Sequence, residues 1–311
     1  YPIKTSVYIT ALGIAFIVSF ILVVIQYFLH NTINNQGELE KGTIAPVVGV
    51  VPRYRKEKLA ISRLVVDKHP KSPLSEALRS IRTNLEFLLP ESKTKRIMSV
   101  TSTISGEGKT FVAINLSGVI ALSGLKVVII DLDMRKPKVH RAFDVDNEIG
   151  MSTILIGKNT VEECIHRTTI ESLDFISAGP TPPNPSELIL RKEFDKVLQH
   201  LHTIYDVIFI DTPPVGLVTD GIIIMKKVDQ PLYVVRAGYS KKGFEKNINK
   251  LITNNNFRNV GAILNGFDNS MGYGYGYKYG YGYGYGYGSG YYTDDARLPW
   301  YKRILSFLKI I

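Results

Sequence analysis

The chain has 311 residues, 45% of them hydrophobic, enough for one large core or a medium one with attachments. Its net charge of +10 is spread, with six Lys/Arg against three acids in residues 1–60 and five against two in residues 271–311. No dense basic stripe results, which argues against nucleic-acid binding, and the single cysteine, Cys164, can close no disulfide within the chain.

In chain order, residues 1–5 read as the end of an extracytoplasmic region that precedes Tyr1. The run from Val7 to Leu29 holds no charge. As a helix it would span about 34 Å, more than the ~30 Å of a hydrocarbon core. A core helix rarely stays apolar on all sides for so long, and no small-residue cleavage site follows. Residues 6–29 are therefore expected to cross a membrane. Lys4 stands alone before this run, whereas Lys41, Arg53, Arg55, Lys56 and Lys58 follow it. That asymmetry places the C-terminal side in the cytoplasm. Residues 30–70, punctuated by Pro and Gly and without an amphipathic period, are expected to be a juxtamembrane linker.

From Ser72 the pattern changes. Pro73 opens a helical segment with Leu74, Ala77, Leu78, Ile81, Leu85 and Leu88 at helical spacing. Short apolar, β-branched runs then alternate with helical ones. "RIMSVTS", "KVVIIDLD", "LDFISAG", "DVIFIDTPP", "PLYVVRAG" and "VGAILNGF" read as buried parallel strands. "KTFVAINLSGVIALSG", "SELILRKEFDKVLQHLH" and "SKKGFEKNINKLITN" read as the helices between them. The expectation is an α/β domain over residues 71–268, with a doubly wound, mostly parallel sheet. Ligands bind such sheets beyond the strands' carboxyl ends, so those ends are where chemistry is sought.

The first strand runs into "TSTISGEGKT". Gly106, Gly108, Lys109 and Thr110 match the closing half of a phosphate-binding loop, with Thr103 where the pattern begins with glycine. Small residues let successive N–H groups curl around an anion, and the helix N-terminus adds its positive end. Lys109 would reach the β and γ phosphates, and Thr110 would ligate Mg²⁺. Asp131 and Asp133 lie two apart at one strand end, facing one side of an extended backbone, and Asp211 ends another strand. Three acids beside a phosphate loop suggest a Mg²⁺ and water shell.

Residues 269–292 form a tail in which tyrosine alternates with glycine. Its ten tyrosines are Tyr273, Tyr275, Tyr277, Tyr279, Tyr281, Tyr283, Tyr285, Tyr287, Tyr291 and Tyr292. Alternate glycines oppose strand formation, so a flexible segment displaying phenols is the simplest reading. Residues 293–311 are expected to form an amphipathic helix from Pro299. Ile304, Leu305, Leu308 and Ile311 line one face, and Lys302, Arg303 and Lys309 form a basic complement. Core packing and a surface-lying membrane helix are both open for it.

These motifs together resemble the bacterial tyrosine kinase family, the cytoplasmic half of polysaccharide copolymerases. The resemblance runs from the apolar helix to the tail and rests on "EALRSIR", "SGEGKT", "DLDMR", "GPTPPNPSEL", "FIDTPP" and the tyrosine cluster. It implies a protein-tyrosine autokinase that uses ATP and Mg²⁺, phosphorylates its own tyrosine cluster in trans and regulates capsule or exopolysaccharide polymerisation and export. The implied nucleotide residues are Ser105, Gly106, Glu107, Gly108, Lys109, Thr110, Phe111 and Asn265. Thr110, Asp133 and Asp211 match the Mg²⁺ residues, and Asp131 the base toward the tyrosine hydroxyl. Glu76, Arg79 and Arg82 match a subunit-contact motif that builds a homo-oligomeric ring. Implied partners are a neighbouring subunit's tail, a phosphotyrosine phosphatase and the polysaccharide polymerase and export machinery, at a bacterial inner membrane. The competing reading is a membrane-tethered partition- or positioning-type ATPase without kinase activity. That group usually carries a lysine early in the loop, where this chain has Ile104.

Overall fold

A computed structural model describes residues 4–29, 31–54, 63–88 and 95–268. The expected tyrosine tail and C-terminal amphipathic helix lie outside the described residues. The first helix, α1 (Lys4–Leu29), is exposed at every described side chain except the half-buried Val24, and by length and composition it can cross a membrane. Next come α2 (Gln36–Gly42), β1 (Val47–Pro52), α3 (Pro73–Glu86), β2 (Arg96–Ser102), α4 (Lys109–Ala121) and β3 (Val127–Asp131). The middle of the chain adds α5 (Val139–Ala142), α6 (Met151–Leu155), β4 (Ile165–Arg167), β5 (Leu173–Ile176), α7 (Pro185–Leu190) and α8 (Lys192–Ile204). The last elements are β6 (Val207–Asp211), α9 (Asp220–Met225), β7 (Gln230–Arg236), α10 (Gly243–Asn255) and β8 (Gly261–Phe267).

The eight strands form one sheet in the order β1-β8-β7-β2-β6-β3-β5-β4. Every neighbouring pair is parallel except β4 with β5 at one edge. The continuous apolar runs of β3 and β6 have a simple cause, since every residue in both is buried between layers of helices. Alternate residues of β3 enter opposite cores. Val127 and Ile129 pack with α3 and α4, whereas Val128 and Ile130 pack with residues of α6, α7 and α8. A third cluster joins β7 and β8 to α2 and α10. α4 lies deep, with only Phe111 of its thirteen residues not buried.

Two expectations are corrected. Residues 30–70, expected as a linker, instead supply α2 and β1, and β1 pairs with β8 from Val47↔Ala262 to Pro52↔Phe267. Its Pro and Gly read as breakers, but an edge strand tolerates both. The single helix expected from Ser186 to His202 is two helices, parted where Arg191 adopts an extended backbone (φ −68°, ψ 152°). The antiparallel edge strand β4, three residues long, gave no periodic signal.

Because the sheet is parallel, β1, β2, β3, β6, β7 and β8 all deliver their carboxyl ends to one edge. The residues after those ends build the site.

Candidate active site

The loop between β2 and α4 turns on Gly106 and Gly108, at φ +92° and +91°. A side chain at Gly108 would collide with Asn265, whose Nδ2 lies 2.0 Å from the position of a Cβ. Glycine is therefore required there by conformation and by space. α4 begins at Lys109, so the loop presents the helix's first N–H groups to the edge of the sheet.

One side of the loop is charged. Lys109 Nζ donates to Asp133 Oδ2 at 3.0 Å and lies 3.4 Å from Asp211 Oδ1. Thr110 Oγ1 donates to Asp211 Oδ2 at 2.6 Å. All four side chains are buried. Burial works against the Lys109 charge, but Asp211 and then Asp133 outweigh it and hold the ammonium above the usual lysine value. Burial also raises the Asp211 carboxyl, against the opposing pull of Lys109 and the Thr110 hydroxyl.

Asp131 is likewise fully buried, but its oxygens serve the main chain. Oδ1 accepts from Asp133 N, and Oδ2 accepts from Lys138 N and Val139 N, each at 3.0 Å. Burial and the nearby Asp211 charge raise its carboxyl to about 7, with the backbone donors opposing. Asp131 thus clamps the segment after β3.

The other side of the loop is held by contacts from the carboxyl ends of β7 and β8. Arg236 Nη1 donates to Gly106 O at 2.8 Å, Tyr239 Oη to Ser105 O at 3.1 Å, and Asn265 Nδ2 to Glu107 O at 2.9 Å. Glu107, fully buried, accepts from Ile104 N at 2.8 Å and from the Ser240 hydroxyl. Burial raises its carboxyl, with Ser240 opposing. The Arg236 guanidinium also lies over the Tyr239 ring, 5.2 Å from its centroid.

The structure therefore brings Ser105, Gly106, Glu107, Gly108, Lys109, Thr110, Asp131, Asp133, Asp211 and Asn265 to one edge. Phe111 packs its ring against the α3–α4 core. Sequence reasoning passed over Arg236, Tyr239 and Ser240, although "VVRAGYS" ends a strand, which was the available signal. It also passed over a bridge from the "DLDMR" segment to the "NPSEL" segment. There Arg135 Nε donates to the buried Asp220 at 2.9 Å and its Nη2 to Ser186 Oγ at 3.2 Å, while Ser186 donates to Asp220. On α3, Glu76 and Arg79 form a half-exposed ion pair, and Arg82 Nε is buried with no hydrogen-bond partner.

Among the described residues, no three His, Cys, Asp or Glu side chains are grouped as a metal cage. Mg²⁺ at phosphate loops needs no such cage, because it keeps waters and takes few protein oxygens. The oxygens of Thr110, Asp133 and Asp211 suit it, and so does the charge. Three buried acids surround one lysine, and burial raises Asp131 and Asp211, with the Asp211 charge adding to the first and the Asp133 charge to the second. The donor set fits a divalent cation.

A parallel, doubly wound sheet with a glycine loop and lysine at a strand-to-helix turn defines a P-loop domain. A family model described as "AAA domain" matches residues 95–260. The chain is 40% identical over 210 residues to "Putative tyrosine-protein kinase CapB" of Staphylococcus aureus, covering 68% of this chain and 92% of that one. It resembles the crystal structure of the chimerical protein CapA2B2 with a TM-score of 0.69 and 35% identity, over 75% of this chain and 100% of that one. The kinase domain of Escherichia coli tyrosine kinase ETK gives a TM-score of 0.67 and 32% identity, over 78% and 98%. The chain belongs to the bacterial tyrosine kinase family.

Proposed function

We propose that this chain is a membrane-anchored protein-tyrosine kinase that transfers the γ-phosphoryl group of ATP to its own C-terminal tyrosines, from Tyr273 to Tyr292, in a neighbouring copy. The observation that carries this reading is the buried cluster of Lys109, Thr110, Asp133 and Asp211 at the open end of the phosphate loop. Phosphoryl transfer is mostly positioning and neutralisation of charge. Lys109 supplies a fixed positive charge toward the β and γ phosphates. Thr110, Asp133 and Asp211 would hold Mg²⁺, which supplies further neutralisation when bound. Gly106 and Gly108 let the main chain approach the phosphates, while Asn265 and Glu107 keep the loop in that shape.

Asp131 is proposed as the base. A free tyrosine hydroxyl has a pKa near 10 and is a poor nucleophile at neutral pH. A carboxylate held near neutrality matches the work of a proton acceptor. The glycine-rich tether would let many phenols reach a neighbour's site without a fixed register. Glu76, Arg79 and Arg82 are proposed to join subunits into a ring, and the buried, unpartnered Arg82 Nε is what supports it. Each phosphate would add close to two negative charges, so a heavily modified tail would repel itself and favour release. Within a cell, the reading places α1 in a bacterial plasma membrane with the kinase domain cytoplasmic, a phosphotyrosine phosphatase resetting the tail, and polysaccharide polymerisation and export as the regulated process. No feature of the site favours a partition-type ATPase switch over this.

The test mixes a Lys109→Met chain with one lacking residues 272–292. Phosphotyrosine on the Lys109→Met chain is the expected result. Its absence, in mixed assemblies shown to form, would mean that transfer occurs within one chain.

A further inference from the structure

The residues just beyond α1 are pinned to the catalytic domain. Thr32 pairs with Lys241 in an antiparallel bridge. Ile33 N donates to Ser240 O at 2.9 Å, Gly238 N to Ile33 O at 2.8 Å, and Lys242 N to Asn31 O at 3.2 Å. Ile33 itself is fully buried. This is a fixed attachment close to the end of the apolar helix. Leu29, the last residue of α1, stands three residues before Thr32, and a chain covers at most about 11 Å in that distance. The headgroup layer outside the hydrocarbon is itself ~5–7 Å deep on each side.

The sheet then decides what faces that layer. β1, β7 and β8 run parallel, so their carboxyl ends open on the edge where Thr32 is bound. Arg53 follows β1, while Lys241 and Lys242 follow β7, and all three are exposed. Lys242 has Glu38 at 3.8 Å. Lys241 and Arg53 have no ion pair among the described residues. Acids on this side have other contacts: Glu38 Oε2 accepts from Asn34 N at 2.9 Å, Glu245 is half-buried against Gly42, and Asp268, after β8, has an interaction of its own. Among the described residues, the edge therefore presents two cations without an ion pair, Lys241 and Arg53, and a third, Lys242, held only by a long 3.8 Å pair, within reach of the bilayer surface.

We propose that this edge lies against the membrane and that Lys241, Lys242 and Arg53 bind the headgroups of anionic phospholipids, a second contact beside α1. The proposal rests on the reading of α1 as a membrane span. The contact fixes how the catalytic domain hangs below its anchor. Its strength falls with salt, because charges at a lipid surface are screened within about 8–10 Å at physiological ionic strength.

The test uses the full chain reconstituted in vesicles, with single reporter cysteines carrying an environment-sensitive dye. Gly243→Cys reports on the proposed contact, since a side chain there meets open space. Lys126→Cys, before β3 at the opposite edge of the sheet, is the control, and Ile14→Cys reports on α1. A headgroup spin label should quench the dye at position 243 in phosphatidylglycerol vesicles, less in phosphatidylcholine, and not at position 126. Lys241→Gln, Lys242→Gln and Arg53→Gln should each lower the contacting population about fivefold in the anionic vesicles. Quenching at 243 that is absent, equal in both lipids, or indifferent to the three substitutions overturns the proposal, as does equal quenching at 126. If an acyl-chain label quenches position 14 in those cases, only the lipid contact has failed. If position 14 is not quenched either, the membrane-span reading has failed with it.

Discussion

The two sides of the phosphate loop are built on different physics. Toward β3 and β6, a lysine and three acids are buried together; burial raises the Asp131 and Asp211 carboxyls, and against burial the neighbouring acids hold the Lys109 ammonium above its usual value. Toward β7 and β8, the contacts from Arg236, Tyr239 and Asn265 go to main-chain oxygens, and Ser240 satisfies the buried Glu107. The first side carries the charges that phosphoryl transfer needs, with acids in excess until a cation joins them. The second side does no chemistry, but it fixes the shape of the loop that does. Substitutions on the first side should therefore act on catalysis, and those on the second on loop stability and nucleotide affinity.

The largest effect is expected from Lys109→Met. It should lower autophosphorylation by about a hundredfold or more, the scale of losing a preorganised electrostatic group. It also leaves Asp133 and Asp211 without their cation, and breaking a buried pair costs about 3–5 kcal/mol unless proton uptake relieves it. A lower melting temperature of the unliganded variant is the check. An unchanged one would mean that the cluster is not electrostatically tight and would erase the contrast.

Asp131→Asn comes next and separates two roles. The amide cannot accept from all three backbone donors, so a loss of about 1–3 kcal/mol is expected from the clamp alone. A proton acceptor is typically worth 10²–10⁴-fold, which would appear in transfer and not in nucleotide binding. Comparing ATP affinity with single-turnover transfer decides. Equal losses in both would leave Asp131 as a clamp only.

On the other side, Ser240→Ala deprives buried Glu107 of its hydroxyl donor and should cost about 1–3 kcal/mol. Asn265→Ala should cost about 1 kcal/mol. Both should raise the KM for ATP several-fold and leave kcat less affected, as steady-state assays would show. A kcat loss as large as that of Lys109→Met would break the division of labour.

The smallest effect is a pH dependence. Burial lifts the Glu107 carboxyl above its unfolded value, so the folded state holds the proton more tightly. Its contribution to stability is then largest in acid. It declines as pH rises from about 4.3, the unfolded carboxyl value, through the higher folded one. Denaturant titrations across mild acid should show this slope in the wild type and a flatter one in Glu107→Gln. Parallel curves would place Glu107 outside the coupling.

Most of the charged side was legible in the chain. Gly106, Gly108, Lys109 and Thr110 are neighbours in sequence, and Asp131, Asp133 and Asp211 announce themselves by ending apolar runs. The helices and buried strands followed from periodicity, because burial on both faces demands unbroken apolar stretches. The polar side was not legible. Arg236, Tyr239 and Ser240 meet the loop across more than a hundred residues, and a residue that contacts a main-chain oxygen leaves no local pattern.

The sequence by itself determined the parallel α/β class, the phosphate loop, the acids beside it, the apolar helix and the tyrosine cluster, since each is a local regularity of composition or spacing. Only the tertiary structure decided that Val47–Pro52 is an edge strand, because pairing with β8 is a property of two distant segments. It alone turned Asp131 toward the main chain and Asp133 toward Lys109, a choice that identical spacing leaves open and three backbone donors settle. It alone, finally, set the exit of α1 beside the phosphate loop, because a parallel sheet gathers carboxyl ends that lie far apart along the chain.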